Sequence, residues 1–196
     1  DYFFMRDEDD GEADSEIEGE EDGRNPTVAW HCSNCKGSMA FSVPKKGEWE
    51  YAIRRAAQDI HKILGYNRMI FKGDQEPALR TFMDRVKMLC GDQCVLEESP
   101  VGESQSNGAI ENAIQGIEGQ FRAMRSDLES CYNHIIPETH ASRPWLIRHA
   151  SSTAFREKVG NDGFTAYKRV KGRDFRKELV KFGECVWYLR PLSKGK

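Results

Sequence analysis

Gly73-Asp74-Gln75-Glu76-Pro77-Ala78-Leu79 and Ser106-Asn107-Gly108-Ala109-Ile110-Glu111-Asn112 each place one carboxylate at a pinned point of the chain. Upstream of the first, Arg68-Met69-Ile70-Phe71 is an apolar run that stops at Lys72-Gly73 and reads as a buried strand. Asp74 follows its end, and Pro77 falls in the first turn of the helix that comes next. In the second stretch Ser106-Asn107-Gly108 opens a helix, with Glu111 one turn in. Thirty-six residues separate the two acids. Carboxylates on rigid elements suit hard divalent cations. Two such ions ~3.5–4 Å apart can hold both oxygens of an in-line phosphoryl displacement. Taken singly, each acid also has a plainer role: Asp74 as a helix N-cap, Glu111 as a first-turn partner of the helix dipole.

Taken together, the two stretches resemble the catalytic core of retroelement and retroviral integrases, which carry a D,D-35-E triad on an RNase H-like fold. In that family the second Asp follows a strand in an S/G-D-Q/N context and the Glu follows S-N-G. Here Gly73-Asp74-Gln75 and Ser106-Asn107-Gly108 with Glu111 match, at a spacing one residue longer. The family's first catalytic Asp sits on the first strand, followed by apolar residues. Asp1, before Tyr2-Phe3-Phe4-Met5, takes that position. The resemblance then implies that the upstream half of this strand, and any zinc-binding module before it, lie outside this sequence. It further implies that Asp1, Asp74 and Glu111 hold two Mg²⁺ (or Mn²⁺) ions for trimming a DNA 3′ end and joining it to target DNA. The implied partners are retroelement DNA ends, target DNA and further copies of the chain; a small-molecule substrate is not among them.

Net charge of −3 over 196 residues hides an asymmetry. Residues 7 to 22 carry eleven Asp or Glu and no Lys or Arg, leaving 21 acidic against 29 basic residues elsewhere. Outside one acidic run the protein is basic, which favours a phosphate-bearing partner. Residues 6 to 25 have little to bury and read as a disordered loop, a departure from the family's tight hairpin. No apolar run approaches the ~20 residues needed to span a bilayer. Six cysteines (32, 35, 90, 94, 131, 185) in no regular framework suggest reduced thiols, and hence a nuclear or cytoplasmic setting. His31-Cys32-x-x-Cys35 looks like half of a zinc site, but no second pair follows at finger spacing, so a strand-turn pair is favoured over a metal site.

Along the chain, 27–32 and 38–43 read as strands joined by a Ser33-Asn34 turn, completing an antiparallel meander with the first strand. Trp49, Ile53, Ala56, Ile60 and Leu64 recur on one helical face that ends at Gly65. The helix after Asp74 buries Leu79, Phe82 or Met83, Val86 and Leu89. Residues 94–99 make a fifth strand, and 100–105 a polar loop with Gly102, which in integrases lies over the metal site. From Asn107 to about Ile135, Ile110, Ile114, Ile117, Phe121, Met124, Leu128, Cys131 and Ile135 form a continuous seam, either core or dimer contact. Glu111 is off that seam, in a polar column with Asn107 and Gln115.

A further helix spans Arg143 to about Phe155, and Gly160–Tyr167 resembles the family's G-x-T-P/A-Y element. Basic residues then gather, and Phe182–Tyr188 alternates as a strand, similar to the start of the small β-barrel that follows many integrase cores. The reading is therefore an α/β RNase H-like core with a mixed five-stranded sheet flanked by helices (1–157), then a basic linker and small β segment (158–196). Asn107, Gln115, Arg122, Lys168, Arg169, Lys171 and Arg173 are the candidate nucleic-acid contacts, mainly through phosphate. Two other readings stay open: a non-catalytic, domesticated or decaying nucleic-acid-binding remnant, and a ribonuclease H, which shares the fold and metals but not the S-N-G-x-x-E helix.

Overall fold

The computed structural model describes residues 1–7, 25–99 and 104–187, with side chains described from Asn107 onward in the last stretch. Strands β1 (Tyr2–Phe3), β2 (Thr27–His31) and β3 (Ser38–Ser42) form an antiparallel sheet in that order. Helix α1 (Glu50–Gln58) continues as a π-helical turn over Asp59–Leu64 and stops at Gly65, whose φ of +74° is left-handed. Strand β4 (Met69–Gly73) pairs in parallel with β5 (Cys94–Glu98), and α2 (Pro77–Cys90) is their crossover. Then come α3 (Ser104–Tyr132), α4 (Arg143–Glu157) and α5 (Ala166–Lys171).

The expected antiparallel meander is present, but the five strands lie in two sheets rather than one. The ladder of β1 covers only Val28 and Thr27, extended by hydrogen bonds between Asp1 and Ala29, so it does not run alongside β4. The expected C-terminal strand is also absent among the described residues. Residues 172–187 are irregular, with Gly183 at φ +85° and its carbonyl accepting from Tyr132 Oη at 2.7 Å. A lone extended segment with no free edge beside it has nothing to ladder with. Residues 188–196 and most of the acidic run, 8–24, lie outside the described residues, as does the loop 100–103. No described helix is long and apolar enough to cross a membrane.

Sheet β1–β3 is apolar on both faces because each covers a helix pair. On one side Val28, Phe41 and Val43 pack on Ile53 and Ala56 of α1, on Ile60 of the π-helical turn, and on Leu79, Phe82 and Val86 of α2. On the other, Ala29 and Ala40 pack on Ile117 and Phe121 of α3 and on Leu146, Ile147 and Ala150 of α4. Small residues at 29 and 40 let two helices sit close to the sheet. The outer sheet is less covered: Ile70 is 67% exposed, so β4 is not the fully buried strand that its apolar run suggested. Leu89, expected in the buried stripe of α2, is exposed, while its neighbour Cys90 packs against the core. The α3 seam likewise is buried at Ile117 and Phe121, partly buried at Ile110, Ile114 and Met124, and open at Cys131; the helix ends at Tyr132, short of the expected Ile135, which is exposed.

Two charge clusters cross these layers. Asp59, 2% exposed, accepts two hydrogen bonds from Arg148 of α4 at 2.7 and 2.6 Å, with Arg55 Nε at 3.5 Å. Asp7, placed in the disordered run by its composition, is pinned by Arg143 (3.0 and 2.6 Å) and Arg125 (2.6 Å). Burial pushes its carboxyl up, but these guanidiniums outweigh that and hold it below the ordinary 3.8. Arg148→Ala leaves a buried carboxylate with only the more distant Arg55, and is expected to cost about 3 kcal/mol in urea unfolding. The double variant Asp59→Leu/Arg148→Met is expected to lose far less; equal losses would show that the pair acts by shape alone.

Candidate functional site

A cavity of about 430 Å³ opens between the two sheets. Its walls are Val28–His31 of β2 and Met69–Gly73 of β4, with Asp1, Asp74, Ser99 and Asn107 at one end and Cys32 and Tyr66 at the other. The structure thus brings Asp1 and Asp74 to one space from positions more than seventy residues apart.

Each acid is held by its own backbone. Asp1 Oδ1 accepts from the Tyr2 N–H at 2.7 Å, and Asp74 Oδ1 from the Glu76 N–H at 3.0 Å, an Asx turn that opens α2. Among the described residues no hydrogen bond reaches either Oδ2, which leaves one oxygen of each carboxylate for another partner.

Ser99 ties the acidic end together. Buried at the end of β5, it donates its N–H to the Gly73 carbonyl at 2.8 Å, accepts from Gln75 Nε2 at 3.3 Å, and places its hydroxyl 3.2 Å from Asn107 Oδ1. The first turns of α3 are therefore fixed to the loop that carries Asp74. The sequence places Ser99 at the end of a strand and Gln75 in the Gly73-Asp74-Gln75 match, and assigns neither of them a role at the site.

Glu111 sits one turn beyond Asn107. It is exposed, and Asn107, Ala109 and Ile110, not Glu111, line the cavity. Among the described residues no group of three His, Cys, Asp or Glu side chains is arranged to hold a metal ion. Two carboxylates with hard oxygen donors suit Mg²⁺ or Mn²⁺ in kind; the third lies outside their cavity. Glu97 and Glu98 are exposed, in ion pairs with Lys72 (3.6 Å) and Arg80 (2.5 Å). Glu103, in the loop expected over the metal site, lies outside the described residues.

The nucleic-acid candidates divide. Gln115 is exposed on α3, with Arg122 two turns on at intermediate exposure. Lys168 is 2.9 Å from Asp174 and lies over the Phe164 ring. Arg169 is engaged by Asp162 and by the Cys35 carbonyl (3.0 Å), and Lys171 donates to the Lys62 carbonyl at 3.3 Å. Arg173 is exposed. The cavity wall adds two further basic side chains, Arg68 and Lys72.

No protein-family model matches the chain, and no curated protein matches it. Among solved structures, the catalytic core domain of BIV integrase matches with a TM-score of 0.52 at 15% identity, over 76% of this chain and 87% of that one. The fold is integrase-like. At that identity the likeness carries the architecture, and the chemistry rests on the residues above.

Gly73 positions Asp74, and a Cβ there would meet Met83 Sδ at 2.5 Å and Leu79 Cδ2 at 3.2 Å, both buried. Gly73→Ala is expected to lower stability by about 1–2 kcal/mol through overpacking, read from the urea midpoint. An unchanged midpoint would show that the strand end has room to move.

Proposed function

We propose that this chain is the catalytic core of an integrase-type polynucleotidyl transferase that trims a DNA 3′ end and joins it to target DNA. The observation that carries this is the convergence of Asp1 and Asp74 on one cavity of an integrase-like fold, with the helix bearing Ser106-Asn107-Gly108 and Glu111 tied to the same strand end through Ser99. Asp1, Asp74 and Glu111 are the proposed ligands of two Mg²⁺ or Mn²⁺ ions, Glu111 by turning inward from the outer side of α3. When bound, such ions supply activation of the attacking oxygen and stabilisation of the leaving one. The protein's own part is placement: the Asx turn at Asp74 and the ladder bonds of Asp1 hold two carboxylates still, so little reorganisation remains for the reaction. Arg68, Lys72, Gln115 and Arg122 are the proposed contacts to DNA, chiefly to phosphate, and further copies of the chain the proposed assembly partners.

The exposure of Glu111 favours a second reading, a nucleic-acid-binding remnant that keeps the fold and has lost the metal site. A strand-transfer assay with Mg²⁺ on the full-length parent protein separates the two. The enzyme reading predicts that Asp74→Asn and Glu111→Gln each lose more than about 10²-fold in rate, since a metal ligand supplies several kcal/mol. Equal activity of wild type and both variants would overturn the triad. DNA binding with an inactive wild type would establish the remnant.

A further inference from the structure

At the end of the cavity away from the acids, Cys32 and Cys35 stand in a tight turn between β2 and β3. The Lys36 N–H donates to the Cys32 carbonyl at 2.8 Å and the Cys32 N–H to the Gly37 carbonyl at 2.8 Å, closing a single helical turn with Lys36 in the left-handed region at φ +58°. Residues three apart on such a turn are neighbours, within the span a disulfide needs. The Cys35 N–H points at Cys32 Sγ from 3.4 Å. Tyr66 Oη lies 3.5 Å from the same sulfur and itself accepts from Asn34 Nδ2 at 3.0 Å. Cys32 is half-buried on the cavity wall, whereas Cys35 is 3% exposed behind it. The turn cannot drift: a Cβ on Gly37 would strike the Phe155 ring at 2.6 Å, and Arg169 of α5 donates to the Cys35 carbonyl at 3.0 Å.

We propose that Cys32 and Cys35 form a redox-active dithiol, Cys32 attacking and Cys35 resolving, whose substrates are small disulfides. Both thiols are free in this structure, the reduced form. The Cys32 thiolate attacks one sulfur of R–S–S–R, giving a mixed disulfide and one R–S⁻. The Cys35 thiol passes its proton to that thiolate, and its sulfur attacks Cys32 Sγ, forming the Cys32–Cys35 bond and releasing the second R–S⁻, protonated from solvent. Two protein thiols and one disulfide become one protein disulfide and two R–SH. The environment sorts the roles. Hydrogen bonding from Cys35 and then Tyr66 holds Cys32 well below the ordinary thiol value against the opposing effect of burial. Donating that hydrogen bond, and then burial, raises Cys35. The charged and titratable groups around the pair are Lys36 on the turn, His31 beside it, Lys158 after α4, Tyr66, and Arg169 with its partner Asp162. His31 is turned to Ser38 at 2.9 Å, and no third ligand completes a zinc site among the described residues.

The test is independent of DNA chemistry. The whole chain is equilibrated with oxidised and reduced glutathione, quenched, and mapped by peptide mass, while iodoacetamide alkylation of each cysteine is followed from pH 5 to 9. The expected result is a loss of two hydrogens on the peptide holding Cys32 and Cys35. Cys32 is also expected to alkylate at pH 6 about tenfold or more faster than the exposed Cys131 and Cys185. Cys35→Ser is expected to trap glutathione on Cys32, with an unchanged near-ultraviolet dichroism spectrum showing that it folds; if it does not fold, the wild-type alkylation profile decides. Alkylation of Cys32 no faster than of Cys131, or accumulation of glutathione on wild-type Cys32 without an internal bond, would overturn the proposal. So would stoichiometric zinc held through both sulfurs.

Discussion

No hydrogen-bonded ladder joins β1–β3 to β4–β5, so the relation between the two sheets depends on apolar side chains. Tyr2, Val28 and Phe41 from one sheet and Met69, Phe71 and Leu96 from the other meet on the same buried residues of α1 and α2. Burial of this kind contributes about 25 cal/mol per Å² and has no preferred direction, so direction comes from elsewhere. It comes from close packing, from the Tyr2–Phe82 ring contact at 6.1 Å, and from the Tyr2 hydroxyl, which accepts from the Gly47 N–H at 3.1 Å. Tyr2 is adjacent to Asp1, so the residue that locks the two sheets together also sets one of the two acids.

The same packing explains the position of Glu111. Rotation of α3 about its axis is fixed by Ile117 and Phe121, wedged between the sheet and α4, and by Arg143 over the Phe121 ring at 5.0 Å. With about 100° per residue, burying that stripe carries Ile110 inward and Glu111 outward, while Asn107 is caught by Ser99. Bringing the third carboxylate to the other two requires a change of side-chain rotamer or a shift of the first turns of α3, which begin beside residues 100–103.

Much of this architecture was legible in the chain. The i, i+3, i+4 spacing of Ile53, Ala56, Ile60 and Leu64, Pro77 at the start of α2, and the short apolar runs within 27–32 and 38–43 are local signals, and each produced its element. What could not be read was non-local. Whether five strands make one sheet or two depends on which edges meet, and no periodicity encodes that. The basic residues after Tyr167 looked like a phosphate surface because composition does not reveal partners. Within the chain, Arg169 also braces the Cys35 turn and Lys168 also pairs with Asp174. Asp7 belonged by composition to a solvated acidic run, yet two guanidiniums on α3 and α4 claim it. The Cys32–Cys35 pair was visible as a motif, but its chemistry waited on Tyr66, thirty-one residues after Cys35.

The central claim is that acids distant in the chain form one cation site on this scaffold. It is tested most directly by titrating isotopically labelled protein with Mn²⁺ and following the paramagnetic broadening of backbone amides. The account predicts that Tyr2, Gln75 and Asn112 broaden together, at concentrations below those that affect the acidic run. Broadening confined to residues 7–22, with Gln75 and Asn112 untouched, would contradict it.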